Sequence, residues 1–185
     1  GATRSDYEPA PPGMLYAPQP NPYRCELGGE TPSECAELCA NAIEELIVFN
    51  GPDTVAAVIA EPVAQPPAIA VPGDEYWPRL REICDNYGVI LIADEVITGF
   101  GRTGKMFALE HWGVVPDVMS VAKGIVSSYL PLGASIVRED IANAFSGGPD
   151  TRFLQHILTF AGHPVAAAAA LKNIEIIENE GLVDN

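Results

Sequence analysis

Apolar residues occur along this chain in short continuous runs that are separated by polar or proline-rich stretches. Four runs have the length of strands: TVAAVIAEP (54–62), GVILIADEV (88–96), DVMSVAKG (117–124) and LGASIVRED (132–140). A continuous apolar run, unlike an alternating one, is typical of a strand covered on both of its faces. The pattern therefore predicts four strands in a parallel or mixed sheet that is covered on both sides.

Three other segments place their apolar residues at helical spacing: TPSECAELCANAIEELIVF (31–49), EYWPRLREICDNYG (75–88) and HPVAAAAALKNIEIIENEG (163–181). Thr31 and Pro32 mark the start of the first helix, and Gly88 the end of the second. Pro164 and Gly181 bracket the third in the same way. Since these helices are interspersed with the strands, the predicted fold class is α/β, built in layers.

Composition limits the classes of function. A chain of 185 residues, 48% of them hydrophobic, is long enough for one domain with a substantial core. Twenty-five acidic and ten basic residues give a net charge of -15, which repels phosphate backbones and anionic membranes. No uncharged apolar stretch approaches the roughly 20 residues that cross a bilayer, and no leader sequence is recognisable. We expect a soluble, cytoplasmic protein with no nucleic-acid or membrane partner.

Prolines and cysteines refine this interpretation. Seven of the 17 prolines lie within residues 1–32, which predicts an extended lead-in segment there. Cys35 and Cys39 share one face of the first helix, so a zinc site that includes Cys25 is conceivable. However, the chain has no C-x-x-C pair and its histidines are distant in sequence. Reduced structural thiols, with no metal, are the prediction.

Three of the predicted strands end in an ionisable residue: Glu61, Asp94 and Lys123. In open α/β sheets, ligands bind beside the carboxyl ends of the strands. Polar residues also end strands simply because strands end at water. The presence of opposite charges among these three favours a chemical role.

A lysine and an aspartate at one sheet edge suit a particular cofactor. A partly desolvated lysine favours its neutral amine, which forms Schiff bases with carbonyls, so we expect Lys123 to lie in a sheltered cleft. Pyridoxal phosphate needs such a lysine, and also a carboxylate, such as that of Asp94, to keep its pyridine nitrogen protonated.

The segment GFGRTG (99–104) offers a competing interpretation because it matches the dinucleotide fingerprint G-x-G-x-x-G. In a true fingerprint, the glycines follow the first strand directly and open a helix. Here ADEVIT separates the strand from the glycines. We therefore expect these glycines to allow a tight, closely packed loop.

The stretch ADEVITGFGRTGKMFALEHWGVVPDVMSVAKGIVSSYLPLGA (93–134) resembles the signature of class III pyridoxal-phosphate aminotransferases, which include the omega-transaminases. The resemblance extends through AEPV (60–63) and TFAGHPVAAAAAL (159–171), and YRCELGGETPSEC (23–35) is similar to the omega-transaminase lead-in. It implies the layered α/β/α large domain of fold type I, incomplete here. Residues 33–185 would be its central part, and the phosphate cup and the small C-terminal domain would lie outside the chain.

The resemblance also implies roles for individual residues. Lys123 would carry pyridoxal 5'-phosphate as a Schiff base and move the substrate proton, and Asp94 would pair with the pyridine nitrogen. Val96, two residues on and on the same side of an extended chain, would pack on the ring, or else is an ordinary core valine. Thr159 would reach the cofactor phosphate of the neighbouring subunit, which implies a homodimer. Glu61 would lie near the active site.

The implied reaction is amino transfer from an amine or amino acid to a keto acid such as pyruvate. Ornithine and 4-aminobutyrate enzymes carry a further glutamate a few residues after the EP pair. Because AQPPAIAVP (64–72) contains no acid, an omega-transaminase-like enzyme is favoured. A decarboxylase, an aminomutase, a racemase or a non-catalytic truncated relative remain alternatives.

Overall fold

A computed structural model describes residues 4–65, 69–147, 153–156 and 158–185 of the chain. Internal contacts divide the chain into two compact units. The first unit comprises Gly1–Ile90 with Trp112–Val114, and the second comprises Leu91–His111 with Val115–Asn185. In chain order the helices and strands are α1 (Pro32–Asn50), β1 (Ala57–Ala60), α2 (Tyr76–Tyr87), β2 (Ile90–Asp94), β3 (Val118–Val121), β4 (Ala134–Val137), α3 (Glu139–Asn143) and α4 (Pro164–Asn179).

The helix boundaries of the first unit follow the local signals in the sequence. The Thr31 hydroxyl accepts a hydrogen bond from the Glu34 N–H at 3.2 Å, and the Glu34 carboxylate accepts one from the Thr31 N–H at 3.1 Å. This reciprocal capping box, followed by Pro32, begins α1. Gly88, with a φ of 67°, ends α2 in the left-handed conformation. Both predicted helices are confirmed.

The first unit is built on the packing of α1 against α2. Their buried faces contribute Cys35, Ala36, Cys39, Ala40, Ile43, Ile47, Tyr76, Trp77, Leu80, Ile83 and Cys84. At the rim of this contact, Glu44 accepts hydrogen bonds from Arg79 at 2.5 Å and from Tyr87 at 3.1 Å. Beside the helices, the Ile90 N–H donates to the carbonyl of Ala56, just before β1, at 3.1 Å.

The second unit holds a mixed sheet. Strand β2 runs parallel to β3, and β3 runs antiparallel to β4. At the start of β3 the buried carboxylate of Asp117 accepts a hydrogen bond from the Leu91 N–H at 2.7 Å and pairs with Arg138 at 2.6 Å. Since Leu91 lies on β2 and Arg138 follows β4, one side chain fixes the alignment of three strands. The prediction of a parallel or mixed sheet is confirmed, and the structure shows that the sheet is mixed.

The expectation that all four strands are covered on both faces is wrong. Every residue of β4 is exposed, and β1 alternates exposed and half-buried residues. An apolar run shows that a strand favours burial, but other elements must pack against it to bury it. No described element of the chain buries β4. Helix α3, only five residues long, was not predicted because so short a segment has no measurable periodicity.

Residues 4–31 contain two short 3-10 turns, Arg4–Tyr7 and Pro22–Arg24, and neither an α-helix nor a strand. This is compatible with the predicted lead-in, whose boundary at residue 32 stays a prediction. In the part of the chain that the structure describes, no helix combines the length and the apolar character needed to cross a membrane.

Candidate active site

Asp94 and Lys123 lie at the carboxyl ends of two adjacent parallel strands. Asp94 is the last residue of β2 and is paired in register with Ser120 of β3. The Glu95 N–H donates to the Ser120 carbonyl at 2.9 Å, which fixes this alignment. Lys123 lies three residues beyond Ser120, just past the end of β3 at Val121. The structure therefore brings both residues to one edge of the sheet, as the strand pattern predicts.

The side chain of Asp94 is held by its own backbone. Its Oδ1 accepts a hydrogen bond from the Val96 N–H at 3.0 Å, and the described residues donate no hydrogen bond to its other oxygen. This interaction turns the chain at Glu95, and residues 96–100 form turns. The premise that Val96 lies on an extended chain on the same side as Asp94 is therefore wrong. Val96 is half-buried, and its contact with a ring stays a prediction.

Glu95, the residue after β2, is fully buried. Its carboxylate accepts hydrogen bonds from the Thr98 hydroxyl, from the Ala108 N–H at 3.1 Å and from the Leu109 N–H at 2.9 Å. These bonds join the turn after Asp94 to the later part of the loop. Sequence analysis missed this residue, because the backbone partners of its carboxylate lie 13 and 14 positions further along the chain.

The glycine segment 99–104 forms the tight loop that the sequence predicts. Gly101 and Gly104 have φ values of 87° and 81°, and the Phe100 N–H donates to the Met106 carbonyl at 2.6 Å. The loop leads to a short 3-10 helix, Ala108–Trp112, instead of the α-helix that a dinucleotide fingerprint opens.

This loop packs tightly against the residue after Lys123. A Cβ added to Gly124 would lie 3.0 Å from both the Gly99 carbonyl oxygen and the Phe100 Cβ. Lys123 itself has a φ of 43°, and Phe100 has a φ of 62°. For a residue with a Cβ this left-handed conformation costs roughly 1–2 kcal/mol. Strain of this kind concentrates at functional sites, where the surrounding structure enforces it.

Asn173 on α4 braces the Lys123 segment from the other end of the chain. Its amide nitrogen donates to the carbonyl oxygens of Gly124, at 2.8 Å, and Ile125, at 3.2 Å. Its amide oxygen accepts a hydrogen bond from the Ser127 hydroxyl at 2.8 Å. Nothing in the sequence pattern identifies this residue, because 48 or more positions separate it from Gly124 and Ile125.

Lys123 lines an open hollow of about 390 Å³ together with Val126, Ser128, Tyr129, Leu130, Pro131 and Leu132. The lysine is exposed, so the sheltered cleft expected from the sequence is not formed by the described residues of this chain. A continuous apolar strand shows where a lysine emerges from a sheet, but shelter at that point depends on elements elsewhere in the fold.

The two other predicted site residues lie apart in the chain. Glu61 belongs to the first unit, where it is half-buried and its Oε2 accepts a hydrogen bond from the Gln65 N–H at 3.1 Å. Thr159 belongs to the second unit, as do Asp94, Val96 and Lys123. It is exposed in a turn that is closed by a hydrogen bond from the Ala161 N–H to the Leu158 carbonyl at 3.0 Å.

Comparison with known proteins places this site in a family. The sequence profile described as aminotransferase class-III matches residues 2–185. The chain belongs to the class-III aminotransferase family. Among curated members, it is 42% identical over 173 residues to the putrescine–pyruvate aminotransferase of Pseudomonas aeruginosa, covering 94% of this chain and 37% of that protein. It is also 42% identical over 184 residues to the taurine–pyruvate aminotransferase of Bilophila wadsworthia, covering 97% of this chain and 39% of that protein.

Solved transaminase structures have the same fold. An omega-transaminase from Thermomicrobium roseum matches 99% of this chain with a TM-score of 0.90 and 41% identity. A PLP-bound amine transaminase from an uncultivated Pseudomonas species matches 98% of it with a TM-score of 0.87 and 41% identity. The chain covers 40% and 42% of those structures, respectively. The predicted fold class, an incomplete large domain of the PLP-dependent aminotransferase kind, is confirmed.

Proposed function

We propose that this chain carries the cofactor lysine and the ring-binding carboxylate of an aminotransferase that uses pyridoxal 5'-phosphate. The reaction moves an amino group from an amine or amino acid to a keto acid such as pyruvate. The observation that carries this proposal is the register of β2 and β3, which brings Asp94 and Lys123 to one sheet edge. Relatives named as pyruvate aminotransferases, at 42% identity, support the acceptor.

The groups at this edge fit the cofactor. Lys123 supplies a primary amine on a turn with positive φ. Asp94 supplies a carboxylate oxygen to which no described residue donates a hydrogen bond. When bound, pyridoxal phosphate provides an electron-withdrawing ring and an aldehyde that reacts with amines. We assign the aldehyde end to Lys123 and the ring nitrogen to Asp94.

In this proposal each side chain has a defined task. Asp94, oriented by the Val96 N–H on its Oδ1, keeps a proton at the ring nitrogen through its other oxygen. Lys123, once its amine is released, accepts the proton from the substrate carbon and delivers it again as a general base and acid. Val96 is assigned to a ring face, and Glu61 is assigned to the cofactor-binding residues.

Covalent trapping tests the assignment of Lys123. The complete gene product that carries this chain is loaded with pyridoxal phosphate, reduced with borohydride and mapped by mass spectrometry. We expect the label on Lys123, and loss of both label and activity in Lys123→Ala. Lys105→Ala and Lys172→Ala are matched controls and should keep both. A label on Lys105 or Lys172 in the unmodified protein would overturn the assignment.

Dependence on the acceptor tests the reaction type. An aminotransferase consumes one keto acid for each amine converted, whereas a decarboxylase, a racemase or an aminomutase turns over without one. We expect alanine to form from pyruvate in proportion to the amine consumed. Turnover that continues undiminished without any keto acid would refute amino transfer while leaving the cofactor assignment intact.

We further propose a homodimer in which Thr159 contacts the cofactor phosphate of the neighbouring subunit. The segment around Thr159 supports this, because large apolar side chains are exposed there: Phe153 (53%), Leu154 (68%), Leu158 (59%) and Phe160 (82%). A patch of this kind is typical of an interface between subunits.

We place the enzyme in the cytoplasm, which the four free cysteines support because disulfides are rare there.

Mixed dimers test whether Thr159 acts across the interface. If it does, a dimer of one Lys123→Ala subunit and one Thr159→Ala subunit contains one intact site and one doubly altered site. At limiting cofactor, this dimer should regain about half of the unmodified activity. If both residues act within one subunit, no intact site forms, and activity at or below the level of the Thr159→Ala parent would refute the proposal.

A further inference from the structure

Three cysteine side chains converge in the first unit. The sulfur atoms of Cys25, Cys35 and Cys39 all lie within 4.8 Å of one another. Cys35 and Cys39 are fully buried on successive turns of α1, whereas Cys25 is half-buried in the preceding loop. The sequence analysis expected reduced structural thiols with no metal, but spacing along the chain could not show that the third sulfur joins the other two.

The spacing of the sulfurs is close to that of a metal-thiolate site. With zinc–sulfur bonds of about 2.3 Å, two tetrahedral ligands lie about 3.8 Å apart. A separation of 4.8 Å or less therefore requires a contraction of no more than about 1 Å, which side-chain rotation can supply. A disulfide would use only two sulfurs and would leave the convergence of the third unexplained.

The loop that carries Cys25 packs closely against the start of α1. The Gly28 N–H donates to the Cys25 carbonyl at 3.2 Å, and Gly28 has a φ of 81°. A Cβ added to Gly29 would lie 2.7 Å from the Cys35 nitrogen, so only glycine lets the loop approach α1 this closely. Metals bind cysteine in its thiolate form, and this loop brings the Cys25 sulfur next to the two thiols of α1.

We propose that Cys25, Cys35 and Cys39 bind one thiophilic divalent cation of the zinc type through three thiolates, fastening the loop at 25–29 to α1. Binding forms three metal–sulfur bonds and releases the thiol protons to solvent, and no electron is transferred. The half-buried side of Cys25 gives the ion a route from solvent and leaves the fourth position to water. Binding replaces the hydrogen bond that the Cys39 thiol donates to the Gln19 carbonyl, at 3.5 Å in this structure.

Metal titration of the full chain tests this site. The protein is reduced, stripped with a chelator and titrated with Co²⁺, whose bonds to thiolate give a near-ultraviolet charge-transfer band and whose tetrahedral geometry gives visible bands. We expect one Co²⁺ per chain, displaced by one Zn²⁺. Cys25→Ser, Cys35→Ser and Cys39→Ser should each weaken binding by more than about tenfold. Cys84→Ser, in a buried cysteine outside the group, should bind like the unmodified chain.

A second measurement needs no variant, so it stands even if a serine substitution prevents folding. In the unmodified chain, Zn²⁺ should protect Cys25, Cys35 and Cys39 from alkylation and raise the midpoint of thermal unfolding. The absence of the charge-transfer band, equal binding by all four variants, or a disulfide in place of protection by metal would each overturn the proposal. Because no readout depends on amino transfer, this result and that of the borohydride experiment are independent.

Discussion

Asn173→Ala offers a sharp test of how the fold holds Lys123. The substitution removes three hydrogen bonds, to the carbonyls of Gly124 and Ile125 and from the Ser127 hydroxyl. At about 1 kcal/mol for each bond, the free energy of unfolding should fall by about 2–3 kcal/mol. The two carbonyls directly follow Lys123, so the strained turn loses its brace at the point where the amine must be aimed.

The kinetic effect should exceed what the loss of stability explains. A displacement of about 1 Å at a reacting group can cost about 100-fold in rate. We therefore expect kcat of the cofactor-loaded complete gene product to fall by about that factor, with a much smaller change in KM, at a temperature where the variant is still folded. Ser127→Ala, which removes one of the three bonds, should lie between Asn173→Ala and the unmodified enzyme in both measurements.

Lys172→Ala is the matched control for this experiment. Lys172 precedes Asn173 on the same helix, and its ion pair with Glu175 is exposed to solvent. Such a pair contributes about 0.5 kcal/mol, so unfolding and kcat should both stay close to the unmodified values. If Asn173→Ala loses no more stability and no more rate than Lys172→Ala, the proposed brace is refuted.

Three further predictions follow from individual side chains. Asp94→Asn should keep part of the cofactor but slow proton removal from the substrate by about 100-fold or more, because an amide does not hold a proton on the ring nitrogen. An unchanged single-turnover rate would contradict this prediction. Glu95→Gln places an amide against buried N–H donors and should lower the free energy of unfolding, measured in urea, by about 3 kcal/mol. Glu110 is an exposed acceptor of one N–H at 2.8 Å, so the control Glu110→Gln should lower it by less than about 1 kcal/mol. Burial, reinforced by nearby thiols, raises the pKa of Tyr76 above its usual value of 10.0. Its stabilising contribution is therefore complete below pH 10 and lost as the pH rises further. Tyr76→Phe should reduce the loss of unfolding free energy above pH 10, whereas Tyr23→Phe, which alters an exposed tyrosine, should not. Equal slopes of the unfolding free energy against pH in the two variants would refute the assignment.

The helices and strands could be predicted because the signals that form them are local in the sequence. The capping box at Thr31, the left-handed Gly88 and the apolar runs that became β2 and β3 depend on residues within a few positions of one another. These signals also place Asp94 and Lys123 after adjacent strands. The class-III signature adds the identity of the chemistry, which periodicity alone does not contain.

The turn at Val96 shows where local reasoning failed. A period of two assumes that the strand continues, but the Asp94 side chain accepts the Val96 N–H and turns the chain instead. Lys123 is a similar case, since the apolar run locates it but does not reveal its positive φ or its exposure. A side chain that competes with the backbone for a hydrogen bond changes the direction of the chain without changing its hydrophobic pattern.

By itself, the sequence determined the three long helices, the four strands, a parallel or mixed sheet and the two ionisable residues at its edge. Only the tertiary structure decided that Asn173 grips the carbonyls after Lys123, that Glu95 ties the loop beyond Asp94, and that Cys25 meets the thiols of α1. The physical reason is range. Periodicity and capping act over a few residues, whereas these contacts join groups up to 49 positions apart, and they exist only when the chain has closed around them.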